Sequence, residues 1–188
     1  MKIIGFVYQK KLSAVSRQPS GVNGGWEMIL KGDSCLLNGR KPMFIPDWTN
    51  ELGVTECLIL RVSRLGKEIG LKFAERYYDA VAYGADFVAL DILREAQAAG
   101  RPWTCALAFD YSLAIGEWMD AQRDDVQCTK DTFVLTPEEA IVEASKVMTI
   151  RQGDLIYIQR REAPHTVQKE EIIRVETDGE EKLYCKIK

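Results

Sequence analysis

Histidine is almost missing from this chain: His165 is the only one, and it lies in a polar stretch beside Pro164. A Ser-His-Asp or Cys-His catalytic unit would have to be built on that one ring, so this kind of nucleophilic chemistry is strongly disfavoured. Cysteine is sparse and unpatterned. The five residues Cys35, Cys57, Cys105, Cys128 and Cys185 are scattered, odd in number and never spaced as Cys-x-x-Cys. That argues against a disulfide framework and against a structural zinc site, and free thiols suit a reducing cytosol. Long hydrophobic runs are absent too. Apolar stretches such as Cys57 to Leu60 and Phe87 to Leu90 fall far short of a bilayer span. The opening Met1-Lys2-Ile3-Ile4-Gly5 leads straight into a strand-like segment and lacks the layout of a signal peptide. Positive charge is not in surplus, with 25 Lys and Arg against 28 Asp and Glu and a net charge of -3. Nothing here points to nucleic acid. The expectation is a cytoplasmic protein with no membrane and no nucleic-acid partner.

What is present fits one ordinary globular unit. The 188 residues, 46% hydrophobic and 28% charged, suffice for one well-buried core, and no linker, repeat or low-complexity stretch divides residues 1–188. Lys2 to Tyr8 and Trp26 to Lys31 read as strands, separated by a turn-rich loop over Gln18 to Gly25. Asn38-Gly39 marks a turn before a short strand from Met43 to Ile45. Val54 to Val62 is apolar and β-branched, as a buried strand should be. The pattern then predicts a helix over Leu71 to Asp79, a strand from Val81 to Ala89, and a helix opened by Asp91 as N-cap and closed at Gly100. Thr136-Pro137-Glu138-Glu139 combines a Thr N-cap, Pro at the first helical position and Glu three residues on, so a capping box should start a helix running to about Val147. Leu155 to Arg160 is a strand. Ile172 to Glu176 and Lys182 to Ile187 form a hairpin across Asp178-Gly179, with the alternating Leu183, Cys185 and Ile187 on its buried face. About nine strands and three helices result, with strands at both ends and helices between. The expected class is α+β with a large curved sheet or sandwich.

Three stretches carry a family resemblance. The first is Ile29-Leu30-Lys31-Gly32-Asp33-Ser34 with Asn38-Gly39-Arg40-Lys41-Pro42 and Ile45-Pro46-Asp47. The second is Leu65-Gly66-Lys67, Phe73-Ala74-Glu75-Arg76-Tyr77-Tyr78-Asp79 and Gly84-Ala85-Asp86-Phe87. The third is Gly100-Arg101-Pro102-Trp103, Ala108-Phe109-Asp110, Ile115-Gly116-Glu117 and Gly153-Asp154-Leu155-Ile156. In order and spacing this set resembles the fumarylacetoacetate hydrolase family over nearly the whole chain. The resemblance implies a mixed β-sandwich roll of that family's C-terminal-domain type, a homodimer, and Mg²⁺- or Mn²⁺-dependent hydrolysis, decarboxylation or isomerisation of 2-oxo acid or acylpyruvate-type substrates. It also implies metal ligands from a Glu-x-Glu strand and from an Asp on a following strand, since hard cations take oxygen donors.

The chemistry-bearing positions depart from that pattern. Glu-x-Glu is replaced by Thr55-Glu56-Cys57, so Thr55 and Cys57 stand where the ligands belong. Glu56, between them, should point to the other face of the strand, out of reach without a bulge or register slip. Asp86 occupies the third carboxylate position. Cys57 is a soft donor with no second soft donor beside it. The family's Thr-Ala-Arg-Asp is Val88-Ala89-Leu90-Asp91, which keeps the acid and loses the Arg. A substrate-holding Lys is replaced by Leu107. An N-terminal Arg-Asn-Tyr-x-x-His element finds only Tyr8-Gln9-Lys10 and Ser13. The late Thr-Gly-Thr-Pro loop is replaced by Ile158-Gln159-Arg160-Arg161, and the stretch from Trp118 to Thr136 is shortened.

Two readings follow. One is a degenerate, metal-free family member used for binding or scaffolding, with no cofactor and with a small acidic ligand as a possible partner. The other is a metal-dependent hydrolase, isomerase or decarboxylase with a rebuilt site, using Mg²⁺ or Mn²⁺. Its candidate catalytic residues are Asp91, Asp110 and Lys31, its candidate metal ligand is Asp86, and Glu56 and Leu107 are further cleft candidates. Simple explanations also exist. Asp86 can be satisfied by local backbone donors or water, and Asp110 and Ser112 fit a turn.

Overall fold

The structure is a computed structural model that describes residues 1–8, 25–121 and 128–188. The apolar stretches around Cys57 to Leu60 and Phe87 to Ala89 lie in its two longest strands. These are β4 (Leu52–Val62) and β5 (Tyr78–Ala89), and they pair antiparallel along their length. Around them lie β1 (Ile3–Tyr8), β2 (Trp26–Lys31), β3 (Leu36–Asn38), β6 (Leu113–Ile115), β7 (Met119–Asp120), β8 (Leu155–Gln159) and β9 (His165–Thr166). Together they make a nine-stranded sheet in the order β2-β1-β8-β4-β5-β6-β3, with β7 on β5 and β9 on β4. The sheet is mixed, because β1 runs parallel to β8 and β3 parallel to β6. The hairpin β10 (Ile172–Thr177) and β11 (Glu180–Lys186) turns through Asp178 and Gly179, both at positive φ.

The sheet order forces a curl. Strands β2 and β3 are at opposite ends of the main path, yet only residues 32–35 separate them in the chain. A link of that length spans at most roughly 15 Å. Seven strands laid flat would hold their edges about 29 Å apart. The sheet therefore rolls, and its inner face encloses Ile3, Cys57, Ile59, Ala82, Leu113, Leu155 and Tyr157. The opposite face of the same strands carries Ile4, Phe6, Val54, Leu58, Leu60 and Phe87. Helix α3 (Pro137–Val147), through Ala140, Ile141 and Ala144, belongs to that core, as do Val175 and Leu183 of the hairpin. Both faces of β4 and β5 are covered, which is why their sequences read as apolar runs rather than alternation. This is the mixed β-sandwich roll anticipated from the sequence.

Helix α3 begins with the capping box: Glu139 N–H donates to Thr136 Oγ1 at 3.3 Å and Thr136 N–H to Glu139 Oε2 at 3.1 Å. Other local expectations need correction. Leu71–Tyr77 is a 3-10 segment whose leading residue, Gly70, offers no side-chain cap. Tyr78 and Asp79 are drawn into β5 instead of ending a helix. At Met43 there is only an isolated bridge to Ile187. Helix α1 (Leu90–Ala98) is preceded by Ala89 at the N-cap, and Asp91 lies inside the first turn. The short β3, β6, β7 and β9 and the one-turn α2 (Thr104–Leu107) had no periodic signal to announce them. Among the described residues, no helix is long and apolar enough to cross a membrane. The Gln18 to Gly25 loop falls, apart from Gly25, outside the described residues, as do Gln9, Lys10 and Ser13.

Candidate functional site

The β4–β5 register decides which candidates can meet. Thr55 is paired with Asp86, Glu56 with Ala85 and Cys57 with Gly84. Directly opposed residues in an antiparallel ladder share a face, so Thr55, Cys57 and Asp86 point into the roll while Glu56 points out of it. Glu56 is half-buried on the far side, where its Oε2 lies 2.8 Å from Arg160 Nε in an ion pair.

Asp86 is 1% exposed, and its carboxylate is held by side chains from distant strands. Lys31 Nζ, at the end of β2, donates to Oδ1 at 2.5 Å, and Gln159 Nε2, at the end of β8, donates to Oδ2 at 2.6 Å. Lys31 also donates to the carbonyl oxygen and to Oγ of Ser112, each at 3.0 Å. An ammonium has three hydrogens, and three acceptors surround this one. The surroundings are themselves tied down. Tyr8 N–H donates to Gln159 Oε1 at 2.8 Å, and Ser112 Oγ donates to the Leu107 carbonyl at 3.3 Å. The sequence expectation that Asp86 is met by local backbone or water is thus corrected: its partners are Lys31 and Gln159.

The rest of the interior is tightly filled. The Tyr157 ring lies across Gly5, where an added Cβ would come within 2.2 Å of Tyr157 Cζ. Its centroid is 5.7 Å from Lys31 Nζ, a cation–π approach. At Gly84 a Cβ would meet Ile59 Cδ1 at 2.5 Å and Cys57 Sγ at 3.0 Å. Burial, reinforced by the Asp86 charge, pushes the Cys57 thiol well above its ordinary range. The Tyr157 phenol is raised by the same two causes, and its hydroxyl has no partner in hydrogen-bonding geometry. Thr55 Oγ1 is likewise buried without a partner. Cys57 and Tyr157 are therefore neutral.

A hard divalent cation does not fit this donor set. Mg²⁺ and Mn²⁺ call for several oxygen ligands, mostly charged. The positions facing Asp86 supply a neutral hydroxyl and a neutral thiol, and both Asp86 oxygens already accept strong hydrogen bonds. Among the described residues no three His, Cys, Asp or Glu side chains converge into a metal-holding group.

The remaining candidates lie elsewhere or play other parts. Asp91 accepts from Thr49 Oγ1 at 2.6 Å, Asn50 N–H at 2.8 Å and Ile92 N–H at 2.9 Å. Burial raises its pKa, but these bonds outweigh it and the net shift is downward. It ties the Thr49-Asn50 loop to α1. Asp110 is exposed beside Tyr111, which has φ 62°. Leu107 packs with Val88 and Ala106 in a small apolar cluster. Glu56, Asp91 and Asp110 therefore do not join Asp86, whereas Lys31 does. Sequence reasoning missed Gln159, Tyr157 and the part played by Ser112. One signal was available: Leu155, Tyr157 and Gln159 share a face of β8, so the polar Gln159 ends an otherwise buried row. A cavity of about 700 Å³ is lined by Arg64, Glu75, Arg76, Tyr78 and Glu138 among others and by none of the interior group.

Comparison with known proteins agrees with this architecture. No family model matches the sequence, and no curated protein matches it. Solved structures do match in fold. A fumarylpyruvate hydrolase from Pseudomonas aeruginosa, in complex with Mn²⁺ and pyruvate, superposes with a TM-score of 0.76 at 18% identity, covering 99% of this chain and 88% of that one. A provisionally named fumarylacetoacetate hydrolase family protein from Yersinia pestis gives 0.80 at 15% identity, with 99% and 92% covered. A 5-carboxymethyl-2-hydroxymuconate delta-isomerase from Mycobacterium smegmatis gives 0.76 at 16% identity, with 99% and 78% covered. At these identities the likeness establishes the fold.

Proposed function

We propose that this chain is a divergent, non-catalytic relative of the fumarylacetoacetate hydrolase family, used for binding or scaffolding rather than for metal-dependent chemistry. The observation that carries this reading is the Lys31–Asp86 pair at 2.5 Å, with side chains 0% and 2% exposed. The one carboxylate retained from the metal pattern is neutralised from within the chain. Without a divalent ion there is no Lewis acid to polarise a substrate carbonyl. Lys31 has no hydrogen left to donate to a small acidic ligand, and Leu107 offers none.

Metal binding tests the proposal. Calorimetric titration of the purified protein with Mn²⁺ should show no binding in the micromolar range, and no acylpyruvate hydrolysis should appear with Mn²⁺ present. Micromolar binding that disappears in Asp86→Ala, together with turnover, would sink the proposal in favour of a rebuilt hydrolase, isomerase or decarboxylase site. Restoring Thr55→Glu with Cys57→Glu should not by itself create a site, because Lys31 still holds Asp86; adding Lys31→Met should.

The proposal extends to a cytoplasmic homodimer. All five cysteines are free, which supports a reducing compartment. Exposed Leu65, Leu71 and Phe73 offer apolar surface for pairing, and two-fold symmetry is the default for such assemblies. Sedimentation in chelator should give a dimer; a monomer across the micromolar range would remove this part of the proposal.

A further inference from the structure

We infer that the Lys31 ammonium is the resident cation of the roll: it balances Asp86 and closes the seam between the two edges of the sheet, so closure of the fold does not depend on a metal ion. This deepens the non-catalytic reading and rests on it. The topology supplies the first argument. Lys31 ends the edge strand β2, and Ser112 immediately precedes β6, which pairs with the other edge strand, β3. The two Lys31–Ser112 bonds at 3.0 Å therefore join the two sides of the roll. The contact to Asp86 then ties that junction to the central strand β5, and Gln159 carries it on to β8.

Charge supplies the second argument. A buried carboxylate without a cation is strongly penalised, and so is a buried ammonium without an anion. Here each is the other's only buried opposite charge in the interior group, and the ammonium's hydrogen bonds are all made. Tyr157 covers Gly5 and Cys57 abuts Gly84, so the interior beside the ammonium is closely packed. Shortening the side chain would leave a pocket bounded by Asp86 and Ser112, matched in charge and hydrogen bonding to a small primary ammonium ion.

Three measurements test this. In wild type, nitrogen-detected magnetic resonance should show a slowly exchanging lysine ammonium at neutral pH that is absent in Lys31→Met. Lys31→Met should lower Tm by roughly 6–20 °C, and Lys31→Met with Asp86→Leu should recover most of that loss. In Lys31→Ala, ethylammonium should raise Tm more than tetramethylammonium at the same ionic strength. An unchanged Tm in Lys31→Met, or equal rescue by the two ions, would overturn the inference. If the single variants fail to fold, the wild-type ammonium signal and the stability of the double variant decide the matter. Micromolar Mn²⁺ binding with the ammonium signal intact would overturn the non-catalytic reading but uphold this one; a missing signal without Mn²⁺ binding would do the reverse.

Discussion

Strands β4 and β5 have two buried faces, and the faces are held by different forces. On one, Val54, Leu58, Leu60 and Phe87 belong to an apolar cluster with residues of α3, the hairpin and adjoining strands. On the other, Thr55, Cys57 and Asp86 meet Lys31, Gln159 and Tyr157. The apolar face is stabilised by area removed from water, so each residue contributes on its own account. The inner face depends on matched partners, so its residues contribute only as a set. Equal burial therefore predicts unequal responses to substitution.

The largest effect should come from unpairing the charge. Asp86→Leu leaves the Lys31 ammonium buried without its anion and should destabilise by about 3–5 kcal/mol in urea unfolding. Most of this should return when Lys31→Met is added. If the double variant is no better than the single one, the set behaviour of the inner face is disproved.

On the apolar face, Leu58→Ala should cost about 3 kcal/mol through lost contact and residual cavity. No second substitution of comparable simplicity should restore it. A loss below about 1 kcal/mol would mean that the core collapses around the gap and that the two faces respond alike.

A smaller effect serves as a control outside both faces. Burial raises the Asp154 pKa, but the Lys2 side chain and the Lys2 and Arg151 amides more than offset it, leaving the carboxyl below its ordinary value. A depressed carboxylate contributes stability that is fully present above its unfolded pKa of about 3.9 and is lost as pH falls through the folded value. Asp154→Asn should therefore destabilise at neutral pH, with the gap to wild type narrowing below about pH 4. A gap independent of pH down to about 2 would show that the charge of Asp154 contributes nothing.

The smallest effect is expected at Glu56, although it stands between the two inner residues in sequence. It is paired with Arg160 on the partly exposed side, so Glu56→Ala should change stability by no more than about 0.5 kcal/mol. A loss several times larger would place Glu56 in the inner set and undo the distinction between the faces.

Much of the framework was legible in advance because its causes are local. The Thr136 capping box, the Asp178-Gly179 turn and the runs in β4, β5 and β8 act over a few residues each. The opposite aims of Glu56 and of Thr55 with Cys57 follow from the two-residue period of a strand. Short elements were harder. β6 and β7 are three and two residues long, too brief to show a period. Leu71–Tyr77 formed a 3-10 segment because β5 begins at Tyr78, which pairs with Val62 of β4.

The order of residues alone specifies that Thr55 and Cys57 stand where the resemblance calls for two carboxylates, that Asp86 stands where it calls for the third, and that alternate residues of a strand face alternate sides. What Asp86 meets is fixed by the folded sheet. Lys31 lies 55 residues from it and Gln159 lies 73 residues from it. Strand periodicity specifies the face on which a side chain lies but carries no information about which strand will be opposite once the sheet curls. That was settled by the four-residue passage between β2 and β3 and by the insertion of β8 between β1 and β4, which bring an ammonium, a carboxamide and a carboxylate into one dry interior where each satisfies the others.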